Sequence, residues 1–188
     1  MSNCFELLGL TPRAAMDDDL LEKAYLDAAK VLHPDHASGD SARTSALNEA
    51  ISVLRSPSRR LKHLMELNSA VAWKAIPLEP SLMDLFAAVG RQLESAGKVT
   101  EKAKSVSTAL SRALLSGEIL KVRESLEDLN GEISSHIDSY LHELPGLDAR
   151  LSQGDSTVWS DAQKLQVKLA YLEKWQTQIR ERLFQLMI

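Results

Sequence analysis

The stretch Lys30-Val31-Leu32-His33-Pro34-Asp35 constrains this chain more than any other. Proline fixes its own φ and drives the residue before it out of the α region, so a helix that reaches Leu32 has to stop at His33. Upstream of the stop, Leu21, Tyr25, Ala28 and Leu32 recur at helical spacing and form one apolar stripe, with Lys23, Leu26, Asp27 and Lys30 on the opposite side. Downstream, Ser41 opens a segment in which Leu47, Ala50, Ile51 and Leu54 repeat that spacing. Two such stripes on either side of a short turn predict a pair of antiparallel helices. The turn, which continues through Gly39 and Asp40, then presents His33 and Asp35 to solvent. Taken alone, these residues also fit a plain helix stop with an imidazole near the C-terminal dipole.

Asp17, Asp18 and Asp19 put negative charge where the dipole of the second helix favours it. Before them, Ser2 or Asn3 caps a short first helix from Cys4 to Leu8, which Gly9 and Pro12 end, leaving Phe5, Leu8 and Leu10 as core contacts. After the third helix, Ser56 caps and Pro57 starts a short fourth one, with Leu61, Leu64 and Met65 inward. Arg59, Arg60 and Lys62 are expected on its outer face, with His63 near them.

Pro77 and Pro80 interrupt any helix, so 70–80 reads as a linker between a domain at 1–69 and a helical bundle at 81–188, with Trp73 and Ile76 as packing residues within it. In the bundle Ser81 is the expected cap, Gly97 a stop, and Ser116-Gly117 a weak break. A helix from Glu118 to Leu144 ends at Pro145-Gly146, and LDARLSQGDS reads as a loop. The longest helix is expected from Ser156 onward. In it Leu165, Leu169, Leu172, Ile179, Leu183 and Leu186 trace a seam with Gln176 at one position, while Val167, Tyr171 and Trp175 form a second stripe. Runs of alternating β-branched residues are missing, and the fold expected is all-α: a four-helix N-terminal domain built on an antiparallel hairpin, then an antiparallel bundle.

Composition excludes several classes of function. The net charge is -4, against the basic surplus that phosphate binding needs, so neither nucleic acid nor an acidic membrane is an expected partner. No apolar run reaches membrane-spanning length and the N-terminus lacks the pattern of a signal peptide, which points to the cytoplasm. Cys4 is the only cysteine, so disulfide, CxxC redox and thiolate-cluster chemistry are out of reach. His33, Asp35, His36 and Asp40 lie close together, but no second ligand cluster completes a metal site. With no nucleophile elbow and no phosphate-cradling glycine loop, neither an enzyme nor a cofactor is expected.

The segment CFELLGL, the His33-Pro34-Asp35 turn and LNEAISVLRSP together resemble a J-domain. An acidic residue six before the histidine, Asp27, and a basic one three before it, Lys30, are similar to the HscB family of iron–sulfur co-chaperones. Asn48, Ala50, Leu54, Pro57, Arg60 and Leu64 fall on that family's pattern in the following helices. Two later stretches extend the resemblance. Pro80 to Phe86 resembles an F-L-M-E-x-L-E segment, with Ala87 and Gly90 where the family carries glutamates, and Val167 to Lys174 resembles R-K-L-R-F-L-D-K-L.

The resemblance implies that His33, Pro34 and Asp35, helped by Lys23 and Lys30, dock on a DnaK/HscA-class chaperone ATPase. It likewise implies that Leu82, Met83, Phe86 and Tyr171 bind an IscU-type iron–sulfur scaffold. Two other readings stay open: a J-domain that serves a different client, and a degenerate J-like unit in a helical adaptor.

Overall fold

The computed structural model describes residues 3–31, 41–68, 75–105 and 107–187, with the side chains of residues 31 and 41 left out. Asn3 has extended backbone angles, and its Oδ1 accepts the Phe5 and Glu6 N–H groups, which starts helix α1, Cys4–Leu7. Gly9, at φ +64°, ends it. The Gly9 N–H reaches the Glu6 carbonyl at 3.0 Å and the Leu10 N–H reaches that of Phe5 at 2.8 Å, a Schellman closure that favours glycine for its positive φ.

Helix α2, Asp18–Val31, begins where Asp17 Oδ1 accepts the Leu20 N–H at 2.8 Å. It runs beside α3, Ser41–Arg55, in the reversed direction: Glu22 pairs with Arg55, and one turn on the Tyr25 hydroxyl donates to Asn48 Oδ1 at 2.8 Å. Leu21, Leu47, Ala50, Ile51 and Leu54 are buried, while Tyr25 and Ala28 of the α2 stripe are half-buried and Leu32 lies outside the described residues. Helix α4, Pro57–Glu66, starts with Pro57 in its first turn and Ser56 Oγ accepting the Arg59 N–H at 3.2 Å.

Here the expected outer face of α4 needs correction. Arg59 and Lys62 are exposed, but Arg60 and His63 are buried, at 3% and 6% exposure. The helix is enclosed on more than one side, so polar groups were drawn in with the apolar ones and had to find partners. Arg60 donates from Nε to the Ala14 carbonyl at 2.8 Å and from Nη1 to that of Leu54. His63 Nε2 accepts the Cys4 N–H at 3.0 Å, and its ring stacks on Phe5 at 5.8 Å.

The described chain continues with α5, Pro80–Ser105, α6, Ala109–Leu141, α7, Leu144–Ser152, and α8, Val158–Gln185. Several sequence boundaries move. Ser81 lies inside α5 rather than capping it, and Gly97 and Gly117 are each internal to a helix, where an isolated glycine costs only about 1 kcal/mol relative to alanine. The α5–α6 break falls just before Ala109, where Thr108 Oγ1 accepts the Ser111 N–H at 3.2 Å. Residues expected as a loop form α7, with Pro145 in the first turn, where its missing N–H is harmless. Gly154, at φ +77°, closes α7 by the device that ends α1. The longest helix is α6 with 33 residues, not α8 with 28. Along α8 the seam is buried at Leu165, Leu169, Leu172, Ile179 and Leu186, Leu183 is half-buried, and Gln176 Nε2 donates to Ser134 Oγ at 2.9 Å.

The chain groups into two compact units, 1–75 with 140–170, and 76–139 with 171–188. By sequence 81–188 reads as one bundle, whereas 140–170 groups with the N-terminal residues. A polar clasp within the first unit shows why: Asp148 accepts the Ala14 N–H at 2.6 Å and the Ala15 N–H at 2.8 Å, and Arg13 stands 3.9 Å away.

Candidate functional site

In the first unit, Lys23, Leu26, Asp27 and Lys30 are all exposed along α2, opposite the stripe that packs on α3. Lys30 Nζ meets Asp27 Oδ1 at 2.9 Å, and this hydrogen bond and charge hold the Asp27 carboxyl below its ordinary range. Half of the cationic character of this face is therefore neutralised locally, and Leu26, at 49% exposure, leaves an apolar spot between the two lysines. His33, Pro34 and Asp35 fall in 32–40, outside the described residues.

In the second unit the candidate residues divide by helical phase. Leu82, Leu85 and Val89 are buried on the inner side of α5, while Met83 and Phe86 are exposed at 49% and 51%. Tyr171 is exposed at 40% at the point where α8 enters this unit. Met83, Phe86 and Tyr171 thus form the solvent-facing set. Leu82, expected among the docking contacts, is instead 0% exposed and belongs to the core, because it lies one helical step from Met83 and on the side of Leu85 and Val89. Large apolar side chains this exposed on two neighbouring segments mark an interaction surface better than scattered single ones do.

Trp175 joins the two segments. Its ring lies 5.8 Å from that of Phe86, tilted by 34°, and 5.8 Å from that of Tyr171, tilted by 42°. By sequence Trp175 belongs to the second stripe of α8 and has no part in the expected surface. The available signal was its spacing of four from Tyr171, which puts both rings on one side of a helix.

The polar cluster at the α7–α8 turn is satisfied by its own members. Arg150 donates to Asp155 at 2.8 Å, Asp161 at 2.9 Å and Thr157 at 3.1 Å, and Lys164 also meets Asp161 at 3.1 Å. The Thr157 and Arg150 hydrogen bonds lower the Asp155 carboxyl to about 2, so it stays ionised and closes the α7–α8 turn. The Cys4 thiol is pushed up, first by burial and then by Glu49, which keeps it protonated rather than nucleophilic. Among the described residues no three His, Cys, Asp or Glu side chains gather in a way that would hold a metal ion. Nor is any helix among them long and apolar enough to cross a membrane.

Residues 3–63 match the DnaJ domain family. A co-chaperone protein HscB homolog from Pseudoalteromonas atlantica is 27% identical over 185 residues, covering 94% of each chain. The chaperone HscB from Vibrio cholerae shares the fold, with a TM-score of 0.56 at 23% identity over 96% of both chains. Human co-chaperone HscB does so at the same TM-score and 14% identity, over 96% of this chain and 82% of its own. The chain thus carries a J-domain at its N-terminus and a helical C-terminal region, and along nearly its whole length it is similar to HscB co-chaperones.

Proposed function

We propose that this co-chaperone stimulates the ATPase of a DnaK/HscA-class chaperone in the cytoplasm and delivers an IscU-type iron–sulfur scaffold to it. The observation that carries the second half is the exposed set Met83, Phe86 and Tyr171, drawn from the two segments that resemble the family's scaffold-binding ones. For the first half, His33, Pro34 and Asp35 would engage the ATPase, with Lys23 and Lys30 on the exposed side of α2 assisting. The chain contributes no chemistry of its own. It has to bind the hydrolysis-competent state of the ATPase more tightly than the resting state, because equal affinity for both would shift nothing. Holding client and ATPase on one chain raises the local concentration of the first at the second.

The test is a steady-state ATPase assay with purified chaperone and scaffold. His33→Gln or Asp35→Asn is expected to abolish stimulation while scaffold binding persists. Met83→Ala and Tyr171→Ala are expected to reduce scaffold recovery in a pulldown while stimulation by the J-domain alone persists. Wild-type stimulation by either turn variant would refute the docking role, and undiminished recovery by both surface variants would refute the client surface. A different client is the second reading. It is favoured by Ala87 and Gly90, both exposed, standing where the family segment carries glutamates, and the same pulldown separates the two.

A further inference from the structure

The scaffold-binding reading leaves open what makes Phe86 and Tyr171 into one surface rather than two separate rings. Both are exposed, and exposed aromatic side chains ordinarily exchange rotamers and lose that freedom on binding. Trp175 is 2% exposed, yet it touches both, at 5.8 Å and at tilts within the attractive range for aromatic pairs. A buried indole thus lies beneath two solvent-facing rings carried by different helices.

We infer that Trp175 is a positioning residue for client binding: it fixes the Phe86 and Tyr171 rings in the orientation the partner meets, and so sets both affinity and selectivity. The inference rests on the scaffold-binding reading. It assigns the partner an apolar contact face, because Ala87 and Gly90 supply no charge to the rim beside Phe86. The binding free energy then resides in ring contacts whose ordering cost has been met in the free protein.

The experiment is calorimetric titration of the purified IscU-type scaffold into the full-length chain, with circular dichroism confirming that each variant is folded. Trp175→Leu is expected to weaken binding about tenfold, the scale of two lost aromatic contacts. Trp175→Phe, which keeps a ring, is expected to restore affinity to within about threefold of wild type. In a Phe86→Ala/Tyr171→Ala background, Trp175→Leu is expected to cause no further loss, since nothing is left to position. Trp175→Met, which fills the volume without a ring, provides a second loss-of-ring variant that keeps the core packed. Wild-type affinity in Trp175→Leu or Trp175→Met, beside a clear loss in Phe86→Ala, would overturn the positioning role and leave the surface standing. A further loss from Trp175→Leu in the double-alanine background would also overturn it, by showing that the indole acts through the fold alone. Full affinity in Phe86→Ala would overturn the surface itself.

Discussion

Arg60 and His63 show how buried polar side chains can serve as joints between segments far apart in sequence. The Arg60 guanidinium satisfies carbonyls of Ala14 and Leu54, neither of which has to find water. Arg60→Met would keep most of the stem but orphan those acceptors, and is expected to lower unfolding free energy by about 2–3 kcal/mol. Arg59→Ala, which removes only exposed contacts to Glu49 and Ser52, is expected to cost under about 1 kcal/mol. Urea denaturation of both variants checks the contrast. His63 accepts the Cys4 N–H through Nε2, so that nitrogen must be unprotonated in the folded chain. Burial, the largest influence, lowers its pKa from 6.5, with Glu66 opposing. The unfolded chain therefore takes up this proton first as pH falls. The contribution of neutral His63 is complete above about pH 6.5 and declines as pH drops toward the lower folded value. In His63→Asn, which offers a non-titrating acceptor, the urea midpoint is expected to fall less between pH 7.5 and 5.5 than in wild type.

At the scale of elements, α5 separates two tasks by helical phase. Leu82 and Met83 are adjacent in sequence, but one is fully buried and the other half-exposed. Leu82→Ala is expected to destabilise the chain by about 2–5 kcal/mol, as large-to-small core changes do. Met83→Ala is expected to leave the thermal midpoint nearly unchanged and weaken client binding, so melts and titrations of the pair should give opposite patterns. Helix α2 follows the same logic, with the Leu21 side buried and Lys23, Leu26, Asp27 and Lys30 outward. Periodicity made both helices legible. It could not locate the end of α5 or the existence of α7, because Gly97 and Pro145 are weak punctuation when a helix packs along its length or has just begun.

At the scale of the molecule, the first unit is discontinuous: 140–170 completes what 1–75 begins. Asp148 holds two backbone N–H groups at Ala14 and Ala15, and the Ala14 carbonyl is held from the other side by Arg60. A fragment of residues 1–75 would lose the carboxylate and leave those donors to solvent. It is expected to retain helical circular dichroism but to melt at a lower temperature than the full chain. Asp148→Ala in the full chain is expected to move the midpoint in the same direction by a smaller amount.

The sequence by itself determined the short helices of the N-terminal region, the cap at Ser56, a first cap at Ser2 or Asn3, the stripes that pair α2 with α3, and the apolar character of the two later segments. All of these follow from spacing and from local hydrogen bonding. Only the tertiary structure decided that Leu82 faces in, that Arg60 and His63 are buried, and that Trp175 lies beneath two exposed rings. A stripe states which side of a helix is apolar. Which neighbour covers that side, and how much of it stays open to solvent, depends on contacts between residues as distant as Phe86 and Trp175, which no local pattern encodes.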